Sequence, residues 1–234
     1  MSLRKSVHHF FHVFLASFFL LTSIAPVMAT EEPRFDVIQK EDEFELRRYQ
    51  TMIIAEVQVT GTLSEASNKG FRQVADFIFG NNEDPMKKQS QKIEMTAPVT
   101  LEADTSSKIA MTAPVTIEEA KNKENKNKDS NDGKDNQEQA WKLAFVMPAQ
   151  YTLETLPKPK NANVTIREIS AQQVAVVTFS GWVDDEKLAH QTARLREWMK
   201  KNNLKSSSQP QLSRYNPPWT LPFWRRNEIW LKLD

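Results

Sequence analysis

The sequence predicts an α+β fold: a distorted, mostly antiparallel eight-stranded β-barrel that carries two helices and is built from two ββαββ units. Three observations predict it. Residues 44–61, "FELRRYQTMIIAEVQVTG", lie over residues 164–181, "VTIREISAQQVAVVTFSG", without a gap. A helix-periodic apolar stripe follows each copy, and two further strand-like stretches follow each stripe.

The chain opens with Arg4 and Lys5, an apolar run at residues 10–21 and the small-residue pattern Val27-Met28-Ala29. That order is the layout of a secretory signal over residues 1–29. An exported protein, periplasmic or secreted, is expected to begin at Thr30. The other account is a retained membrane anchor, because residues 10–27 approach the ~20 apolar residues of a spanning helix. His12 and Pro26 weigh against it, and no other segment is apolar enough to span. Removal of residues 1–29 takes away two cations and no acid, so the formal charge moves from +1 to −1.

Within the repeat, Ala55, Val57 and Val59 fall on Ala175, Val177 and Phe179, while Gln58 and Thr60 fall on Thr178 and Ser180. This period-two alternation marks half-buried strands, and each unit is read as beginning with a hairpin. In the first unit Thr62-Leu63-Ser64-Glu65 has the form of a capping box, followed by Leu63, Ala66, Val74, Phe77 and Ile78 up to a stop at Gly80. In the second, Asp184 is the expected cap. Leu188, Leu195 and Met199 share one stripe with Trp198 at its edge, ahead of Asn202-Asn203. Residues 92–101 and 141–147 then read as strands of the first unit, and residues 211–215 and 228–233 as strands of the second. Eight strands with two helices suit a sheet curled toward a barrel, with a concavity between the halves for a ligand.

Two stretches interrupt this plan. "KIEMTAPVT" at residues 92–100 is nearly repeated as "KIAMTAPVT" at residues 108–116. Ile93, Met95, Ala97 and Val99 alternate as one strand face, bent at Pro98. Either the copy is a local duplication that extends a hairpin, or Met95 and Met111 both line an apolar ligand wall, a use that suits polarizable thioethers. Residues 118–139 hold almost no apolar side chain and are expected to form a mobile polar loop. Its lysines alternate with acids and no aromatic interleaves them, which speaks against nucleic acid as a partner.

The chain has no cysteine, which excludes disulfides and thiolate chemistry. Three of its four histidines stand in residues 1–29, leaving His190 for the remainder.

"GFRQVADFIFGNN", "MTAPV", "FVMP" at residues 145–148, "LPKPKNANVTIREI", "FSGW" at residues 179–182 and "YNPPWTLPFWRRNEIWL", in this order, resemble the motifs of the SOUL family of haem-binding proteins. The resemblance runs from about Phe35 to the end, within a domain at residues 30–234. It implies a distorted β-barrel of two similar halves with two helices, and non-catalytic binding of haem or a related tetrapyrrole; separately, a monomer is expected. The export signal, the second MTAPV copy and the long polar loop depart from the vertebrate members, so their cytosolic roles do not carry over.

Haem needs an apolar slot, cations for two propionates and optionally an axial ligand. His190 is the obvious axial candidate. It stands two residues after Leu188, about 200° around a helix, and so faces away from the apolar stripe; it would serve as metal ligand only for a haem lying against the outside of that helix. Arg225 and Arg226 follow Trp219, Phe223 and Trp224, a pairing of rings and guanidinium groups that suits a flat acidic ligand. Alternatively the rings close the barrel end while the arginines pair with Glu228. Low-affinity haem binding without an obligatory axial histidine is therefore expected. Glu45, Glu56 and Glu94 on or near strands keep a hydrolase open as an alternative, and binding of another apolar ligand or a structural envelope role is a third possibility.

Overall fold

The structure, a computed structural model, describes residues 30–104 and 139–234. The expected signal at residues 1–29, Met111 with the second MTAPV copy, and all of the expected polar loop except Gln139 lie outside the described residues.

The elements in chain order are β1 (Phe35–Glu41), β2 (Phe44–Tyr49), β3 (Met52–Thr60), α1 (Leu63–Ile78), β4 (Asn82–Glu83), β5 (Val99–Ala103), β6 (Ala140–Val146), β7 (Lys158–Pro159), β8 (Thr165–Ile169), β9 (Gln172–Phe179), α2 (Asp185–Lys201), β10 (Gln211–Arg214) and β11 (Asn227–Lys232). Nine strands form one antiparallel sheet in the order β1-β2-β9-β11-β10-β5-β6-β3-β8, curled into a half-barrel. The expected α+β class, both helices and the doubled ββαββ order are all present.

The strand count and the pairing differ from expectation. Beyond the eight expected strands, β4 and β7 pair as a separate two-stranded ladder, and the ninth strand of the main sheet, β1, lies outside the repeat. Its Val37 and Ile38 are exposed neighbours rather than alternating, so it carries no amphipathic signal and is held by its ladder to β2, across a turn with Asp42 at φ 49°. The expected hairpins are corrected: β2 pairs with β1 and β9, and β3 with β6 and β8, so the first two strands of a unit never pair with each other. Alternation fixes which face of a strand is buried but not which strand lies beside it. The crosswise pairing is nonetheless symmetric. Leu46 faces Ala175 across β2–β9 and Ile166 faces Ala55 across β8–β3, the same pair with the units exchanged. With β1 set aside, that exchange reverses the strand order onto itself and puts the pseudo-twofold axis between β5 and β10.

Each helix covers its own half of one sheet face. The capping box of α1 is formed, with Glu65 N donating to Thr62 Oγ1 and Thr62 N to the Glu65 carboxylate. Leu63, Ala66, Gly70, Val74, Phe77 and Ile78 are buried against Val57, Leu143 and Phe145. Burial of a side chain such as Phe77 or Ile78 contributes about 1.5–3 kcal/mol. Asp184 caps α2 through Lys187 N, and Leu195, Trp198 and Met199 are buried with Ala175, Val177, Ile229 and Leu231. The helix-free face carries Tyr49, Val174, Val176 and Trp230 in one half and Ile54, Ala144 and Val146 in the other.

The expected bent strand at residues 92–101 is confined to β5. Pro98 has no N–H for a ladder, and the β5–β6 pairing starts at Val99 opposite Phe145. Just before it, the Thr96 hydroxyl donates to the Val146 carbonyl and Ala97 N donates to Glu31 O. Thr96, Ala97 and Pro98 are therefore all buried, whereas Met95, expected on the same face as buried Ile93, is 36% exposed. The described MTAPV copy thus closes a strand end.

Candidate functional site

The long connection from β10 to β11, residues 215–226, is tied down at several points. Tyr215 N donates to Arg226 O at 3.2 Å, Arg226 N to Asn216 Oδ1 at 2.6 Å, and Gly181 N to Pro222 O at 2.9 Å. Gly181 has φ 102°, a left-handed conformation that glycine adopts without steric cost. These bonds fix the backbone and leave large apolar side chains outside: Trp182 is 68%, Trp219 83%, Phe223 64% and Trp224 70% exposed. Phe223 and Trp224 meet edge to face at 5.0 Å. Arg225 lies at the root of this shelf. Its guanidinium donates to Thr220 O and Pro218 O and stands 4.0 Å from the centre of the Trp182 ring.

Beside the shelf is a cleft of about 370 Å³, lined by Trp182, Arg214, Asn216, Arg225 and Asn227, with Ser64 and Asn68 of α1 opposite. Among the described residues the guanidinium of Arg214, at the end of β10, has one hydrogen-bond partner, the Ser67 hydroxyl at 3.3 Å. Burial, and secondarily the nearby Arg225 charge, lower its pKa. Among the described residues neither Arg214 nor Arg225 forms an ion pair. Two uncompensated guanidinium groups beside exposed indoles make a place for a flat molecule with an anionic edge.

The structure separates the two adjacent arginines. Arg226 turns to the helix-free face, where it contacts Glu32 at 3.0 Å and Glu228 at 2.9 Å and lies 3.6 Å from the Tyr215 ring centre. Its charge is taken up there, the alternative that the sequence left open. Glu228 is fully buried and also accepts from Arg47, from the Tyr215 hydroxyl at 2.7 Å and from Trp230 Nε1 at 2.7 Å. Burial works to raise its pKa, but the Arg47 charge and this set of donors outweigh burial and hold it below the usual carboxylate value. Burial raises the pKa of Tyr215 and Tyr49, keeping both phenols protonated.

His190 is exposed on α2 while Leu188 packs against the core, as helix geometry requires, and it does not line the cleft. Among the described residues no three His, Cys, Asp or Glu side chains converge to hold a metal ion. Of the carboxylates considered for catalysis, Glu56 is held by Arg167 at 2.8 and 2.9 Å, Glu45 pairs with Lys40 and Arg47, and Glu94 is exposed. Burial raises the pKa of a further carboxyl, Glu102 on β5.

Sequence reasoning missed Arg214 and the role of Trp182. Arg214 sits in a short strand with no motif of its own. Trp182 had a signal, a large apolar residue directly after the strand-ending Gly181, where the first unit has the polar cap Thr62.

A family model described as SOUL heme-binding protein matches residues 30–107 and 102–232. No curated protein matches the chain. Among solved structures, the EcmrR C-terminal domain superposes with a TM-score of 0.52 at 14% identity, over 82% of this chain and 96% of that one. A hydrolase from Listeria innocua superposes with a TM-score of 0.51 at 11% identity, over 84% of this chain and 94% of that one. At these identities the likeness is one of fold.

Proposed function

We propose, from the premise that this chain belongs to the SOUL heme-binding protein family, that it carries haem or a related tetrapyrrole without chemical conversion. The macrocycle lies on the shelf of Trp182, Trp219 and Phe223, and its carboxylate edge enters the cleft at Arg214 and Arg225. The observation that carries this reading is the pair of guanidinium groups without carboxylate partners beside exposed rings. Apolar contact contributes roughly 25 cal/mol per Å² removed from water. Loss of rotational and translational freedom offsets much of that gain, which makes the affinity modest. His190, on the exposed surface of α2, is not required as an axial ligand. Residues 1–29 direct export, so the cargo is stored, transported or scavenged outside the cytoplasm.

A spectral titration with ferric haem, metal-free protoporphyrin and protoporphyrin dimethyl ester tests the reading. His190→Ala is expected to leave all three affinities unchanged. Arg225→Met is expected to weaken the two free acids about ten- to hundredfold, the scale of one charge-assisted hydrogen bond, and to spare the ester. Absence of saturable binding would overturn the function. A loss confined to haem in His190→Ala would overturn the ligand-free assignment. Intact mass of the native protein checks export: a chain that retains residues 1–29 overturns it.

A further inference from the structure

A second cleft, of about 480 Å³, lies where the N-terminal stretch crosses the ends of β3 and β6. One wall is apolar, with Met52, Ile53, Val146, Met147, Tyr151 and Leu153. Gln50, Thr51, Thr96 and Thr152 add polar groups to the rest of the lining. Leu153 stays half exposed, so the wall is open to a ligand. The wall is also fixed: Met147 N donates to Ile53 O at 2.7 Å, and the Tyr151 hydroxyl accepts from Gln91 at 3.0 Å.

The rim carries charge of one prevailing sign. Glu31, Glu32, Glu154 and Glu168 face Arg34 as the one cation of the lining. Glu32 is neutralised by Arg226 at 3.0 Å. Glu31 holds the wall in place by accepting from Ala149 N at 2.8 Å. Glu154 and Glu168 are exposed and have no hydrogen bond or ion pair among the described residues. Three carboxylates against one guanidinium leave a negative rim over an apolar floor, the opposite of the Arg214–Arg225 cleft. Among the described residues no three acidic or histidine side chains converge on one point. The carboxylates therefore act as a field over the floor, and that field repels a propionate-bearing macrocycle.

We infer that this cleft is a second binding site, separate from the tetrapyrrole shelf, for a small amphipathic organic cation whose apolar body lies on Met52, Val146 and Leu153 and whose charge faces Glu154 and Glu168. Thioethers and the Tyr151 ring suit such a body because both are polarizable or π-rich toward a cation.

Fluorescence anisotropy with rhodamine 6G as the cationic probe and 1-anilinonaphthalene-8-sulfonate as the anionic one tests the site. Saturable rhodamine binding is expected in low salt, weakened about three- to tenfold by the double substitution Glu154→Gln, Glu168→Gln and by added salt, as for exposed charges. Ala149→Trp, at an exposed position of the rim, fills the cleft and is expected to abolish binding while haem affinity stays unchanged. Rhodamine binding that survives both variants would overturn the site. Anionic-probe binding as tight as that of rhodamine, and likewise abolished by Ala149→Trp, would overturn the charge selection. Loss of rhodamine binding in Trp182→Ala would place the cation on the aromatic shelf and overturn the two-site arrangement.

Discussion

The guanidinium of Arg47 on β2 and the carboxylate of Glu228 on β11, 181 residues apart in the chain, meet in two parallel hydrogen bonds of 3.0 and 3.2 Å inside the protein. Neither strand neighbours the other; β9 runs between them. The pair therefore ties three strands together on the helix-free face. Removal of one member of a buried pair leaves an unpaired charge, which costs about 3–5 kcal/mol. Arg47→Met is expected to lose about 3 kcal/mol in urea unfolding, the lower end, because Arg226 still faces Glu228. A loss under about 1 kcal/mol would mean that Arg226 alone satisfies the carboxylate.

The same carboxylate sets an acid limit. Its folded pKa is depressed, so its contribution is complete above the unfolded value of about 4.3 and is lost as pH falls through the lower folded value. Unfolding free energy is expected to drop steeply below about pH 4, and Glu228→Gln to flatten that limb, whatever its effect at neutral pH. Tyr49 and Tyr215 act at the other end. Their folded pKa values are raised, so their contribution is complete below about pH 10 and is lost as pH rises further. Stability measured from pH 3 to pH 11 on both proteins checks the two limbs.

Thr96→Val tests the structural account of the described MTAPV copy. The substitution keeps the shape and removes the hydroxyl that satisfies the Val146 carbonyl. An unsatisfied buried acceptor costs about 1–3 kcal/mol. A loss in that range, with porphyrin affinity unchanged, is expected. Weakened porphyrin binding without loss of stability would instead make the motif part of a ligand wall.

Gly70 gives a prediction that runs against helix propensity. A Cβ built there would stand 2.8 Å from Leu143 Cβ, because α1 lies directly on β6. Gly→Ala in a helix interior normally stabilises by about 1 kcal/mol. Here the clash reverses the sign, and Gly70→Ala is expected to destabilise by about 1–3 kcal/mol in thermal or urea unfolding. A stabilised variant would show that the contact is loose.

Much of this architecture is legible in the sequence because one-dimensional periodicity reports burial. Val57 and Val177 sit at matched strand positions, Thr62 and Asp184 at the caps, and Leu188 and His190 on opposite sides of α2. Partnership is not periodic, so β2 against β9 could not be read from alternation. Met95 follows the alternating pattern yet is exposed, since Pro98 ends the ladder that would have turned it inward. At the candidate site, the sequence brings rings and cations together in residues 219–226, but the ring that the structure sets against Arg225 is Trp182. That Arg226, the neighbour of Arg225, directs its charge to Glu228 depends on strand direction, and the position of Arg214 on a fold contact with α1.

The last prediction concerns the 34 residues between the described parts of the chain. Ala103 pairs with Trp141, and Asp104 N donates to Ala140 O at 2.8 Å, so β5 and β6 already meet as a hairpin at the two ends of that stretch. Loop closure entropy grows slowly, by about 0.6 kcal/mol for each doubling of length. Replacement of residues 105–138 by a four-residue Asn-Gly turn is about three halvings. It is expected to raise stability by no more than about 2 kcal/mol and to leave porphyrin binding intact. This outcome makes the second MTAPV copy a local duplication, dispensable both to the core and to the shelf. A drop in stability would show that residues 105–138 pack on the sheet. Lost porphyrin binding at unchanged stability would bring Met111 back as a ligand contact.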